Sequence, residues 1–421
     1  MLSCLDLKEY FYPAVEIIIK ILYKILFIYC AFSVLYLFIL ALAGRLFYRR
    51  KVYAAPTGGD KRKTMALLVA AYREDGIILS TAQNLLSLDY PRELYDVYII
   101  ADGFKPETLE QLRTMPLHVL EVSFEKSTKT KSLNEAFKRI SRPYDIAIIC
   151  DADNMMKDDF LGKVDGAFRD GARAVQGQRV AKNLDTSFAI LDACSEGINN
   201  NIFRRGANGL GLSSAVIGSG MAFEFDTVKD ILSRIDAVGG FDKILQLEIV
   251  GQGISIRYQD DALVFDEKVS SSEAFQQQRK RWVSSQYIYF KRFLGPAIGK
   301  LFRGNLSYFN LAVLCNLVLP RAFLFLLLPL FVVISFFISM LWGWAALALW
   351  GIYMLTMMVA LPAGLINRDF WKAVLRLPKA IGLMVGTLFQ VKKANKTFIH
   401  TVHTKTEVSN YLFTENKKKN G

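Results

Sequence analysis

Cysteine is scarce in this 421-residue chain: Cys4, Cys30, Cys150, Cys194 and Cys315 are odd in number, widely spaced, and form no C-x-x-C pair. Neither a disulfide framework nor a zinc site is indicated, and each thiol reads as a small hydrophobe. Acids are also in deficit, 39 Asp+Glu against 52 Lys+Arg, for a net charge of +13. Charge is missing altogether from residues 25–44 and 322–367, runs of 20 and 46 residues. With 52% hydrophobic residues and a mean hydropathy of +0.25, the chain is excluded from the disordered and collagen-like classes. It reads as an integral membrane protein with a sizeable polar domain.

The run 25–44 is followed by Arg45, Arg49, Arg50 and Lys51, which predicts a spanning helix whose C-terminal end faces the cytoplasm. It is too long and starts too late for a signal peptide. Residues 1–24, interrupted by Glu9, Glu16, Lys20 and Lys24, fit an interfacial helix or a lengthened start of that span. The run 322–367 is about twice the roughly 20 residues a span needs and predicts a helical hairpin, with its external turn near Trp342, Gly343 and Trp344. The shorter runs 305–320 and 380–391 suit in-plane or re-entrant helices. Three spans are expected, with five as the upper bound.

Residues 64–295 have soluble composition and alternate apolar runs with amphipathic stretches, the pattern of an α/β domain. Strands are expected at 65–71, 97–101, 117–122 and 146–150, and helices over 77–88 and 131–140. A parallel sheet of this kind binds its ligand at the carboxyl ends of the strands. The first strand leads into Ala71-Tyr72-Arg73-Glu74, the second ends at Asp102, and the fourth runs into Asp151-Ala152-Asp153. Two acids at i and i+2 after a buried strand can share a magnesium or manganese ion with substrate phosphates. Asp102 reads equally as a turn residue before Gly103. Further on, Gln278, Arg281 and Trp282 form a Q-x-x-R-W string whose amide, guanidinium and indole suit a diphosphate or an acceptor ring. A basic amphipathic helix under the membrane surface is the plainer reading of the same residues. His400 and His403 form H-x-x-H with no acid or cysteine partner nearby in sequence, which does not indicate a metal site.

These elements, placed between an N-terminal span and a C-terminal hairpin, resemble the family 2 membrane glycosyltransferases, including the processive synthases of cellulose, hyaluronan and poly-N-acetylglucosamine. The resemblance covers residues 65 to about 293 and the membrane layout. It implies an α/β GT-A catalytic domain, Rossmann-like and nucleotide-sugar-binding, joined to transmembrane helices. The divisions are an N-terminal interfacial and transmembrane part at 1–51, the GT-A domain at 64–295, a hairpin with flanking interfacial helices at 305–391, and a basic cytoplasmic tail at 392–421. By the same resemblance Ala71, Glu74, Asp102, Lys129, Asp151 and Arg281 bind the donor, Asp151 and Asp153 hold Mg2+ or Mn2+, and Asp242 is the general base. Gly220, Met221, Gln278 and Trp282 then belong to the acceptor side. Two departures stand out: the Glu that precedes the base is missing before Asp242, and Leu245-Gln246-Leu247 replaces an acidic segment whose carboxylate Glu248 is left to supply.

The resemblance implies an inverting hexosyltransferase that moves a sugar from a UDP-sugar to a growing polysaccharide or glycolipid, in a bacterial-type inner membrane with the catalytic domain cytoplasmic. Membrane lipid and accessory export subunits are the implied partners. Nucleic acid is not, because the positive charge is concentrated beside the membrane. Two rivals remain: a non-processive transferase acting once on a lipid-linked acceptor, and a non-catalytic subunit of a polysaccharide assembly complex.

Overall fold

The computed structural model describes residues 4–53, 61–235, 237, 239–269, 272–378, 382, 403–410 and 412–413, apart from the side chains of 4–14, 272–285 and 287. The chain opens with a single long helix, α1 (Cys4–Leu46), so the residues before 25 lengthen the first apolar helix. The α/β unit follows as β1 (Met65–Tyr72), α2 (Ile78–Leu86), β2 (Tyr95–Asp102), α3 (Pro106–Arg113), β3 (His118–Val122), α4 (Lys129–Arg139), β4 (Ile146–Asp151) and β5 (Met155–Met156). Next come α5 (Phe160–Arg169), β6 (Ala174–Ala181), α6 (Ser187–Asn199), a π turn (Asn200–Gly206), α7 (Ala207–Gly209), β7 (Met221–Glu224), α8 (Phe225–Ser233), α9 (Phe241–Gly251) and β8 (Ile256–Asp266).

The sheet order is β3-β2-β1-β4-β7-β6-β8-β5. Strands β1 to β4 are parallel, whereas β7 runs antiparallel to both β4 and β6. The predicted parallel half is thus joined to a mixed half, as in GT-A glycosyltransferase domains. Alternation along β1 sends Ala66 and Leu68 to one apolar layer, with Leu133 and Phe137 of α4, and Met65, Leu67 and Val69 to the other, with Ile78 and Leu85 of α2. Both faces of the strand are buried, which is why its sequence is a nearly continuous apolar run.

After β8 comes α10 (Ser272–Phe302), then a broken helix made of α11 (Leu306–Phe309), a π turn (Asn310–Leu314) and α12 (Cys315–Leu317). That broken stretch is shorter than the roughly 20 residues a span needs. The hairpin is α13 (Arg321–Ile338) and α14 (Met340–Ala360), followed by α15 (Arg368–Val374). Its turn falls at Ser339 rather than at Trp342–Trp344, because the Ser339 hydroxyl accepts the Trp342 N–H and starts α14 there. Among the described residues, three helices are long and apolar enough to cross a membrane: Val15–Leu46, Arg321–Ile338 and Met340–Ala360. The run 380–391 lies, apart from residue 382, outside the described residues.

The apolar helices and the α/β unit are closely joined. Tyr23 stacks on Phe331 at 5.0 Å, and its hydroxyl meets Ser335 Oγ at 2.7 Å. At the other end of α1, Gly206 lies against the Leu40 backbone so tightly that a Cβ there would stand 2.2 Å from the carbonyl oxygen. Just beyond α1, Arg50 Nε bonds Asp260 Oδ1 at 2.6 Å.

Candidate active site

Register builds the site. Pairing of β1 with β2 and β4 sets Tyr72 opposite Asp102 and Ala70 opposite Asp151, so both acids emerge at the same carboxyl edge. Ala71 near the end of β1 and Glu74 in the loop after it are buried there, and Asp102 Oδ2 is buried with no hydrogen-bond partner among the described residues. Burial raises the Asp102 carboxyl, against a hydrogen bond from Ser127 and the charge of Arg73. An orphaned, buried acceptor at a ligand edge suits the N–H of a base.

One strand further along, Asp151, Asp153 and Asp266 offer carboxylate oxygens that all lie within 4.8 Å of one another. Asp153 is pushed up to about 6 by burial and by the neighbouring charges of Asp266 and Asp151, partly offset by His403 and a hydrogen bond from the Glu267 N–H. Burial would also raise Asp151, but the paired Lys129 ammonium holds it below the usual carboxylate range. Crowded hard oxygens, two of them on carboxylates held ionised by neighbouring cations and the third on a carboxyl whose ionisation is resisted, fit a divalent cation, which would favour the charged form of Asp153.

Asp266 was not singled out from sequence. The tip of β8 carries an acid just as β2 and β4 do, but this strand is interrupted by Gln259, Asp260 and Asp261 and does not read as a buried run. His403 is the second omission. Its Nδ1 lies 2.9 Å from Glu74 Oε1, across 329 residues of sequence. Burial disfavours its cation, but the hydrogen bond to Glu74 and the charges of Asp153, Glu74 and Glu267 raise the imidazole to about 10. Around it the segment 403–410 is laid along the site: Thr404 and Lys405 donate their N–H groups to the Glu267 carboxylate, and Ser409 donates to the Lys182 carbonyl. This stretch, expected as part of a basic tail, is packed structure, whereas His400 lies outside the described residues.

Lys129 joins the acids to the acceptor side. Its Nζ pairs with Asp151 and donates to the Gly218 carbonyl at 2.8 Å. Asp242 sits in the first turn of α9, where a helix N-terminus favours a carboxylate. Its Cγ faces Gly218, standing 4.0 Å from where a Cβ on that residue would be. The acids expected for metal and base therefore flank one lysine and one loop. Gly220 belongs to that loop through its backbone, whose carbonyl accepts the Gly177 N–H at 2.9 Å.

Met221 does not face the site: it is fully buried in the core of β7, so only its main chain can border an acceptor. Glu248 is exposed and cannot replace the missing carboxylate. Gln246 is buried instead, and its Oε1 accepts the Val216 N–H at 3.2 Å, bracing the acceptor-side loop with a neutral group. Gln278, Arg281 and Trp282 lie on α10, but their side chains are outside the described residues.

Comparison with known proteins identifies the family. The family model described as "Glycosyltransferase like family 2" matches residues 62–285, just over half of the chain. Beta-monoglucosyldiacylglycerol synthases of Trichormus variabilis and of Nostoc sp. are each 25% identical over 241 residues, or 53% of this chain and 49% of theirs. The chain thus matches about half the length of these curated relatives. Among solved structures, a mannosyltransferase of Pyrobaculum calidifontis in complex with GDP-Man and Mn2+ aligns over 87% of this chain and all of its own, at 15% identity and a TM-score of 0.47. Glucosyl-3-phosphoglycerate synthase of Mycobacterium tuberculosis, with Mn2+, UDP and phosphoglyceric acid, covers 52% of this chain and 76% of its own, at 15% identity and a TM-score of 0.37. With its mixed GT-A sheet and a family match over more than half of its length, the chain belongs to the glycosyltransferase-like family 2.

Proposed function

We propose that the protein is an inverting, metal-assisted glycosyltransferase that moves one sugar from a UDP-sugar to a hydroxyl of a membrane lipid. The observation that carries this reading is the linkage of Asp151, Lys129, the Gly218 loop and Asp242 along one sheet edge. Asp242 takes the proton of the acceptor hydroxyl as its oxygen attacks the anomeric carbon and the bond to the diphosphate breaks. Lys129, now on Asp151, is within reach of a diphosphate and can exchange its carboxylate partner for a phosphate oxygen. Asp102 and Glu74 orient the base and ribose, and Arg281 adds charge at the diphosphate. Asp151, Asp153 and Asp266 would hold Mg2+ or Mn2+, which when bound neutralises the leaving diphosphate.

A lipid acceptor is supported by the count of three long apolar helices among the described residues, few for lining a polymer channel. The names of the curated relatives, which are glycolipid synthases, point the same way. The site then faces the cytoplasm at the inner membrane, with α1 and the hairpin as spans. A second reading, processive polysaccharide synthesis with export subunits, is favoured by the Q-x-x-R-W string alone. The test is UDP release by detergent-solubilised protein across a panel of UDP-sugars, with Mg2+ or Mn2+ and diacylglycerol, followed by sizing of the product. One added sugar supports the first reading, a ladder supports the second, and no turnover with any donor refutes both.

A further inference from the structure

Beneath the acid cluster lies a buried set of charges that the reaction does not use. Glu196 on α6 is 6% exposed; its Oε1 accepts from Arg179 Nε at 2.7 Å and its Oε2 pairs with Lys268 Nζ. Both cations also reach Asp266: Lys268 Nζ lies 2.8 Å from Oδ2, and Arg179 Nη1 lies 3.5 Å from Oδ1. Two cations are thus shared between one acid inside the cluster and one outside it. A bound metal and these cations compete for the same Asp266 charge, so the hold of Glu196 on them decides how much of that charge is left for the metal.

Glu196 is also placed to report on the apolar hairpin. Ser195, before it, takes Arg321 Nη2 at 3.1 Å on both its carbonyl and its hydroxyl, at the start of α13. Gly197, after it, lies under Pro362 beyond the end of α14, where a Cβ would stand 2.3 Å from the ring. Three consecutive residues therefore seat both near ends of the hairpin and anchor the cations behind the acids.

We propose that Glu196 is a positioning residue of the metal centre: by drawing Arg179 and Lys268 toward itself, it keeps the Asp266 carboxylate available to complete a divalent-cation site with Asp151 and Asp153. This rests on the metal-assisted reading above. The Glu196→Gln substitution leaves both cations to Asp266, and Lys268→Met removes one competitor, so the two act in opposite directions on the metal.

The experiment is Mn2+ binding to the full-length chain in detergent, followed by the electron paramagnetic resonance of free Mn2+, with and without UDP. Glu196→Gln should weaken binding about 10- to 100-fold, the usual effect of losing a group that supports a ligand. Lys268→Met should bind at least as tightly as wild type, and the double variant should return to within a few-fold of it. A purely structural Glu196 would lower the melting temperature and leave Mn2+ affinity unmoved, which overturns the proposal. If Glu196→Gln does not fold, the double variant and Lys268→Met decide, and weaker binding by both overturns it. Wild type that binds no Mn2+ under either condition removes the metal-assisted reading itself, a result distinct from wild type that binds while Glu196→Gln binds equally well.

Discussion

Replacing Asp153 by asparagine should make the metal-free protein more stable at neutral pH. The carboxyl is raised from 3.8 to about 6 by burial and by Asp266 and Asp151. Keeping it ionised in the fold then costs on the order of 3 kcal/mol, at about 1.4 kcal/mol for each tenfold change in proton affinity. The sign follows from the direction: the folded state binds the proton more tightly than the unfolded chain, so the penalty is absent below about pH 4, grows through the window from 3.8 to about 6, and is complete above it. Asparagine keeps an oxygen to accept the Glu267 N–H that now reaches Asp153 Oδ2 at 2.9 Å, and it carries no charge. Melting curves of chelator-treated protein in detergent should rise by several degrees in Asp153→Asn at pH 8, and by roughly half as much at pH 5. Added Mn2+ should raise the wild type and leave the variant unmoved. A variant destabilised equally at both pH values would refute the electrostatic account and make Asp153 an ordinary structural residue.

Asp242→Asn should lower sugar transfer by about 10²- to 10⁴-fold while UDP affinity, measured by calorimetry, stays near wild type; equal loss of both would place Asp242 in donor binding. His403, raised from 6.5 to about 10, lends stability that is complete below about pH 6.5 and is lost as pH climbs toward 10. His403→Ala should therefore flatten the decline in melting temperature between pH 7 and 9.5 and raise the KM for the donor. Gly206→Ala, which sets a methyl 2.2 Å from the Leu40 carbonyl oxygen, should cost about 1–3 kcal/mol, read as a lower melting temperature with unchanged metal affinity.

The position of Asp102 and Asp151 at the carboxyl edge was legible because each ends a run of buried apolar residues: Ile99-Ile100-Ala101 before Asp102, and Ile148-Ile149-Cys150 before Asp151. Local pattern and position coincide there. Asp266 and His403 reach the same edge from a strand and a segment whose local patterns carry no such mark, and only tertiary contact shows that they lie there. Charge reading failed similarly for Glu196, an isolated acid on a helix until Arg179 and Lys268 are brought to it from β6 and the end of β8. The acceptor side was read least well. Met221 is a core residue, and Gln246 turns out to brace a backbone, because at those positions packing, not residue type, decides which way a side chain points.

The contact of Gly206 with the Leu40 backbone has one more consequence. Where main chain rests on main chain, no side chain is left to stretch, tilt or repack. On the reading of α1 as a span, and of the acid edge as the proposed transfer site, the height of that edge above the lipid headgroups is then fixed by the packing of two main chains, as on a ruler. With a lipid acceptor as proposed, a hydroxyl that stands at that height would be measured against it, and one on a longer headgroup would overshoot the mark.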